Sequence, residues 1–166
     1  MSSVGKGGGG GRSAALSRSQ ARLAAVQALY QMDLAQTDLA AVIEEFKDHR
    51  LGDTDNDTAA QADPEHFATL LKGVVRCQRE IDPMVDRQLA EGWRLTRIDS
   101  IVRAILRAAA FELMELKDVP PRVVISEYIE VAHAFFEGDE PRVVNGVLDS
   151  LARKLRPGEL PERDNA

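Results

Sequence analysis

One stretch limits what this chain can fold into more than any other: TRIDSIVRAILRAAAFELMELK, residues 96–117. Ile98, Ile101, Val102, Ile105, Leu106, Ala109, Phe111, Leu113, Met114 and Leu116 recur there at helical spacing and leave only a narrow polar strip. That pattern belongs to a helix covered on most of its sides. Thr96, with Asp99 three residues on, predicts a first turn closed in the manner of a capping box, and Asp118, Val119, Pro120 and Pro121 stop the helix. It would span about 33 Å at 1.5 Å per residue, so the other elements must pack around it.

Those elements read as helices too. RSQARLAAVQALYQMDLAQ predicts an amphipathic helix with Ser17 or Ser19 as its N-cap and Ala21, Ala24, Ala25, Ala28, Leu29 and Met32 on its apolar side. Thr37 or Asp38 opens a short helix with Leu39, Val42, Ile43 and Phe46 as its stripe, ending near Arg50 and Gly52. Asp63-Pro64-Glu65 is a strong helix start, followed by Phe67, Leu70, Leu71, Val74 and Val75 as core. At Asp82-Pro83 that helix kinks or restarts, carrying Met84, Val85 and Leu89 to Gly92, with Trp93 and Leu95 anchoring the next connection. RVVISEYIEVAHAFF buries Val124, Ile125, Tyr128, Ile129, Ala132 and Phe135 or Phe136 and closes at Gly138. Asp139 or Glu140 caps the last helix, whose stripe is Val144, Val147, Leu148, Leu151 and Leu155, with Gly146 expected at a close helix approach. No segment alternates as a strand does, so the fold class is all-α, with about six to seven helices.

At 166 residues the chain fits one domain with a core that needs no staples. The single Cys77 fits a reducing cytoplasm, and no apolar run is long enough for a membrane span, so a soluble cytoplasmic protein is expected. The domain reading is a flexible Gly/Ser-rich basic tail at residues 1–16, the helical domain at 17–157 and a C-terminal tail at 158–166. His49, His66 and His133 are scattered and form no metal or nucleophile motif. Asp53, Asp55 and Asp57 imitate an EF-hand opening, but Thr58 replaces the turn glycine and Pro64 the bidentate glutamate. No catalytic residue, metal or cofactor is expected.

The formal net charge of −6 argues against a nucleic-acid partner only as an average. The first 32 residues hold Lys6, Arg12, Arg18 and Arg22 and no acid, while the other 134 carry −10. Arg18 and Arg22, four apart, stack on one side of the first helix, where a bound phosphate would gain from the helix dipole that repels them. A solvated basic turn is the competing explanation.

RSQARLAAVQALYQMDL, AILRAAAFEL, VISEYIEVAHAF and VVNGVLDSLA occur in that order and together resemble the NusB family of bacterial transcription antitermination factors over residues 17–157. The resemblance implies two small helical bundles packed around the central helix. It also implies binding of single-stranded boxA RNA together with NusE, a small-subunit ribosomal protein, in an RNA polymerase elongation complex, as a monomer or homodimer. The RNA-binding set it suggests is Arg12, Arg18, Arg22, Gln27, Tyr30, Arg122, Phe135, Asp139 and Arg142. Tyr30 and Phe135 are stacking surfaces if their rings reach solvent and core residues if they do not, the core reading being preferred for Tyr30, and Asp139 is equally a helix cap. Arg107 and Glu112 match the family as structural polar residues. The arginine cluster is sparse, and Val143 stands where the family often has an aromatic ring. Such a site needs the leading arginines and the Asp139 corner to share one groove. The alternatives are a helical protein-interaction module or a homodimer without a direct RNA role; a methyltransferase fusion would need a cofactor domain after Pro157.

Overall fold

The computed structural model describes residues 9–49, 62–90 and 92–162, and among side chains those from Ala14 onward other than His49. The calcium-like loop at Asp53, Asp55 and Asp57 and residues 1–8 of the expected N-terminal tail lie outside the described residues, while residues 9–16 of that tail form the start of a helix instead of a flexible segment. Six helices form among the described residues: α1 (Gly9–Ala35), α2 (Leu39–His49), α3 (Pro64–Asp86), α4 (Ser100–Glu115), α5 (Pro121–Phe135) and α6 (Glu140–Leu155). No strand forms among them.

The expected central helix is α4, which packs against α1, α3, α5 and α6. Ile105, Leu106, Ala108, Ala109, Ala110 and Leu113 on it are wholly buried. With α2 laid on α1 and α3, three helices form one bundle on one side of α4, and α5 with α6 form the second. Polar groups at both ends fix α4's limits. At its start the Asp99 carboxylate accepts hydrogen bonds from the Ile101 and Val102 amides at 2.8 and 3.4 Å, so the cap is Asp99, one turn later than the expected Thr96. At its end the buried Arg156 guanidinium donates to the carbonyls of Leu113, Glu112 and Leu116 at 2.8, 3.2 and 2.9 Å, and to that of Val119 at 2.9 Å. The Leu113 carbonyl is among those a helix C-terminus leaves without an intrahelical partner, while the Glu112 and Leu116 carbonyls also accept the amides of Leu116 and Val119. One side chain from beyond α6 thus closes α4 and locks the second bundle to it.

Other expectations need correcting. Ser17 and Ser19 are not N-caps, because α1 begins at Gly9. The Ser17 carbonyl accepts the Asp63 amide at 3.0 Å, which ties α1 to the start of α3. Asp63 does cap α3, accepting from the Glu65 and His66 amides, but α3 neither restarts at Pro83 nor reaches Gly92. The exposed ring of Pro83 removes one bond from the ladder, and the helix continues to Asp86. Leu95 anchors the α3–α4 connection at 4% exposure, whereas Trp93 stands half in solvent at 50%. Asp139 sits at the N-cap position of α6 but makes no capping hydrogen bond through its side chain, its backbone being helical rather than extended.

The close helix approach lies at Gly73 and not at Gly146. A Cβ on Gly73 would come within 2.1 Å of the Phe111 ring, whereas one on Gly146 would meet nothing within 4 Å. The two glycines therefore respond oppositely to alanine. Gly73→Ala should lower stability by about 1–3 kcal/mol through overpacking, and Gly146→Ala, on the exposed face of α6, should raise it by about 0.5–1 kcal/mol. Urea unfolding of both variants checks this; equal midpoints for the two would contradict the α3–α4 packing.

Candidate nucleic-acid interface

Arg22 points inward. It is 3% exposed, and its guanidinium donates to both Glu112 oxygens at 2.9 and 3.0 Å. The Tyr128 hydroxyl donates to Glu112 as well, and Glu127 lies 3.6 Å from Arg22. His66 Nε2 lies beside the same carboxylate, 3.6 Å from it. Burial pushes the Glu112 carboxyl up, but His66, Arg22 and Tyr128 together outweigh it and hold it at about 2, below the ordinary 4.5. Burial also pulls Arg22 down, and its hydrogen bond and charge interaction with Glu112 reverse this, raising it. Burial, then the Glu112 charge, drives the Tyr128 hydroxyl well above its usual value. Arg22, expected to face a phosphate, faces Glu112 instead, because its place on the helix puts it over α4.

Arg18, one turn earlier, remains exposed. It borders a cavity of about 180 Å³ with Asp118, Pro120, Val123 and Glu127, and the buried Arg22 contributes to its floor. Arg12 lies on the first turn of α1, with its side chain outside the described residues. Arg122 is exposed at the start of α5, and Arg142 is exposed near the start of α6.

Two turns beyond Arg22, α1 forms one wall of a groove of about 410 Å³ whose other wall is Ile101 of α4 and Phe135 of α5. Gln27 and Tyr30, both half-buried, line it, and Phe135, also half-buried, closes its far side. Tyr30 is therefore neither a core residue nor free in solvent. Its ring and that of Phe135 border an apolar slot, while Gln27 and Gln31 carry the amides there. Gln31 is held by a hydrogen bond to Glu45 of α2 at 3.3 Å, and Leu34 lies at the rim, 63% exposed. An apolar slot with aromatic edges and amide groups can take an unpaired base, stacked on a ring and bonded at its edge.

Asp139 does not share this groove, nor the cavity at Arg18. With Glu140 and Val143 it borders a cavity of about 320 Å³ whose other lining includes Trp93, Arg97, Ile98 and Val102. The expected single groove from the arginines to Asp139 is not formed. Arg18 lies beside the start of α5 and Asp139 beyond its end, and 15 residues of helix separate them by about 22 Å. Gln31, Leu34, Ile101 and Trp93 were not singled out as site residues. Gln31 lies four residues beyond Gln27 and Leu34 four beyond Tyr30, so both sit beside a singled-out residue on one helix face; Ile101 and Trp93 carry no comparable signal.

Fold and groove together define an all-α protein with an apolar slot between its two bundles. The model of the NusB family matches residues 19–153. A transcription antitermination protein NusB from Agrobacterium fabrum is 54% identical over 84% of this chain and 85% of its own length. NusB of T. maritima shares the fold at TM-score 0.70 and 33% identity, over 82% of this chain and 91% of that one. A chain in the crystal structure of antitermination factors NusB and NusE in complex with dsRNA has the same fold, with TM-score 0.69 and 24% identity over 82% and 96% of the two chains. The chain belongs to the NusB family. As the sequence suggested, Arg107 and Glu112 are structural, Arg107 pairing with Asp82 at 2.8 and 2.9 Å.

The buried cluster sets a pH dependence. Because folding lowers the Glu112 value from 4.5 to about 2, its stabilisation is complete above pH 4.5 and is lost as pH falls toward 2. Glu112→Gln should cost about 3–5 kcal/mol at neutral pH by leaving Arg22 without its counter-charge, and should flatten the fall in stability across that acid window. Urea midpoints measured against pH check both; a variant with the wild-type acid slope would contradict the assignment.

Proposed function

We propose that the chain is a transcription antitermination factor that holds a boxA-type single-stranded RNA segment against α1, with bases at the Gln27, Tyr30 and Phe135 groove and backbone phosphates toward Arg18. The observation that carries this is the convergence of those three residues, from two helices 108 positions apart at Gln27 and Phe135, on one slot. Membership of a family whose relatives are named transcription antitermination proteins supports it. We place it in the cytoplasm, acting by binding and not by catalysis, within the RNA polymerase elongation complex. NusE is the proposed protein partner, in keeping with the NusB and NusE complex that shares this fold. Residues 17–157 are the proposed functional domain. Asp139, Arg122 and Arg142 stand apart from the slot and are proposed as contacts outside it.

Each base stacked on an aromatic ring is worth about 1–3 kcal/mol by alanine substitution. Tyr30→Ala and Phe135→Ala should therefore each weaken binding of a short boxA RNA by about 5- to 150-fold, while circular dichroism retains the helical signature. Arg18→Ala should weaken binding to every sequence and reduce the slope of log K against log salt by about 0.7. Fluorescence titration measures all three. Wild-type affinity in folded Tyr30→Ala and Phe135→Ala would remove the slot from the interface.

A further inference from the structure

A second basic feature lies on α3. Lys72, Arg76, Arg79 and Arg87, the last being the residue that caps the helix, are all exposed. At 100° per residue they fall within about 80° of arc and extend for about 22 Å, a single file along one outward strip. None of the four makes an ion pair or a side-chain hydrogen bond among the described residues, although the chain's acids outnumber its bases by six. Arg22, Arg103, Arg107, Arg153 and Arg156 are engaged by carboxylates or carbonyls, whereas Arg18, Arg97, Arg122 and Arg142 are unpaired among the described residues, like the file, but are spread over different elements. The nearest acids on the same helix do not quench the file. Asp82 is held by Arg107, and Asp86 accepts the Leu95 amide and faces Arg94; Glu65 and Glu80 are exposed and form no ion pair with it.

We propose that this file is a second, sequence-independent RNA contact, a track for the sugar-phosphate backbone on the face of α3 turned away from α1 and α4. A line one cation wide suits a linear polyanion better than a planar membrane surface, and Val75, the large apolar side chain exposed beside it, offers little to insert. Three of the four residues are arginines, whose planar forks match phosphate oxygens. The choice of RNA over another linear polyanion rests on the reading of the α1–α5 groove. The track would hold RNA flanking the segment in that groove and lend affinity without reading bases.

The test uses the full chain and a uridine 30-mer, which lacks a boxA sequence, titrated at several salt concentrations. The variant is Lys72→Gln, Arg76→Gln and Arg79→Gln together; the control, Lys47→Gln, Lys117→Gln and Lys154→Gln, removes the same charge elsewhere on the exposed surface. The track variant should lose about two units of salt slope, 0.7 for each contact, and the control should keep the wild-type slope. Equal slopes in wild type and track variant, equal losses in variant and control, or no binding by wild type at low salt would each overturn the proposal. A short boxA RNA titrated in parallel separates the two sites: if Tyr30→Ala leaves it unaffected while the track variant loses uridine binding, the track stands and the groove falls.

Discussion

The buried ion pair between Arg22 and Glu112 is the interaction on which the rest of the structure depends. A carboxylate in an alanine- and leucine-lined interior is tolerable only when charge and hydrogen bonds surround it. Glu112 meets that condition by drawing in Arg22 from α1 and Tyr128 from α5, with His66 of α3 at its side. Four helices are thereby indexed to one atom group. Apolar side chains alone would let α1 slide along α4, because neighbouring alanines are nearly equivalent partners. The bidentate pair permits one register.

That register is what builds the slot. Tyr30 lies eight residues beyond Arg22, about 12 Å along the same helix, and Gln27 lies between them. Fixing Arg22 over Glu112 therefore sets where Gln27 and Tyr30 face Ile101 and Phe135. A second set of bonds acts at the far end of the same assembly, where Asp33 and Asp82 take the guanidinium groups of Arg103 and Arg107. Arg156, in turn, joins the end of α6 to the end of α4. The two bundles are held in relation by a few arginines reaching between helices, and the slot is a consequence of that relation.

Much of this was legible in the sequence. The helices of α2 to α6 follow from the spacing of their apolar residues, and Asp63-Pro64-Glu65 marks a start that the Asp63 carboxylate makes good. What failed to show was any feature set by a partner distant in sequence. Arg18 and Arg22 look equivalent because they share a face of one helix, yet a glutamate 90 residues away makes one of them interior. Gly73 and Gly146 look alike until Phe111 is set against the first. Asp99 rather than Thr96 caps α4, a difference of one turn that both residues' chemistry permits. The candidate site was legible as residue types and not as a place: Gln27, Tyr30 and Phe135 were singled out, but with an Asp139 corner that the length of α5 keeps apart.

The central claim is that Arg22 shapes the interface without touching RNA. Replacing the cluster by apolar groups, with Arg22→Met, Glu112→Leu and Tyr128→Phe together, removes the cation while leaving no buried charge behind, an exchange that is often neutral for folding. The decisive measurement is the salt dependence of boxA binding by that triple variant, with its helical content checked by circular dichroism. A wild-type slope is the predicted result. A folded variant whose slope falls by about 0.7, the value of one lost phosphate contact on a single strand, would contradict the account.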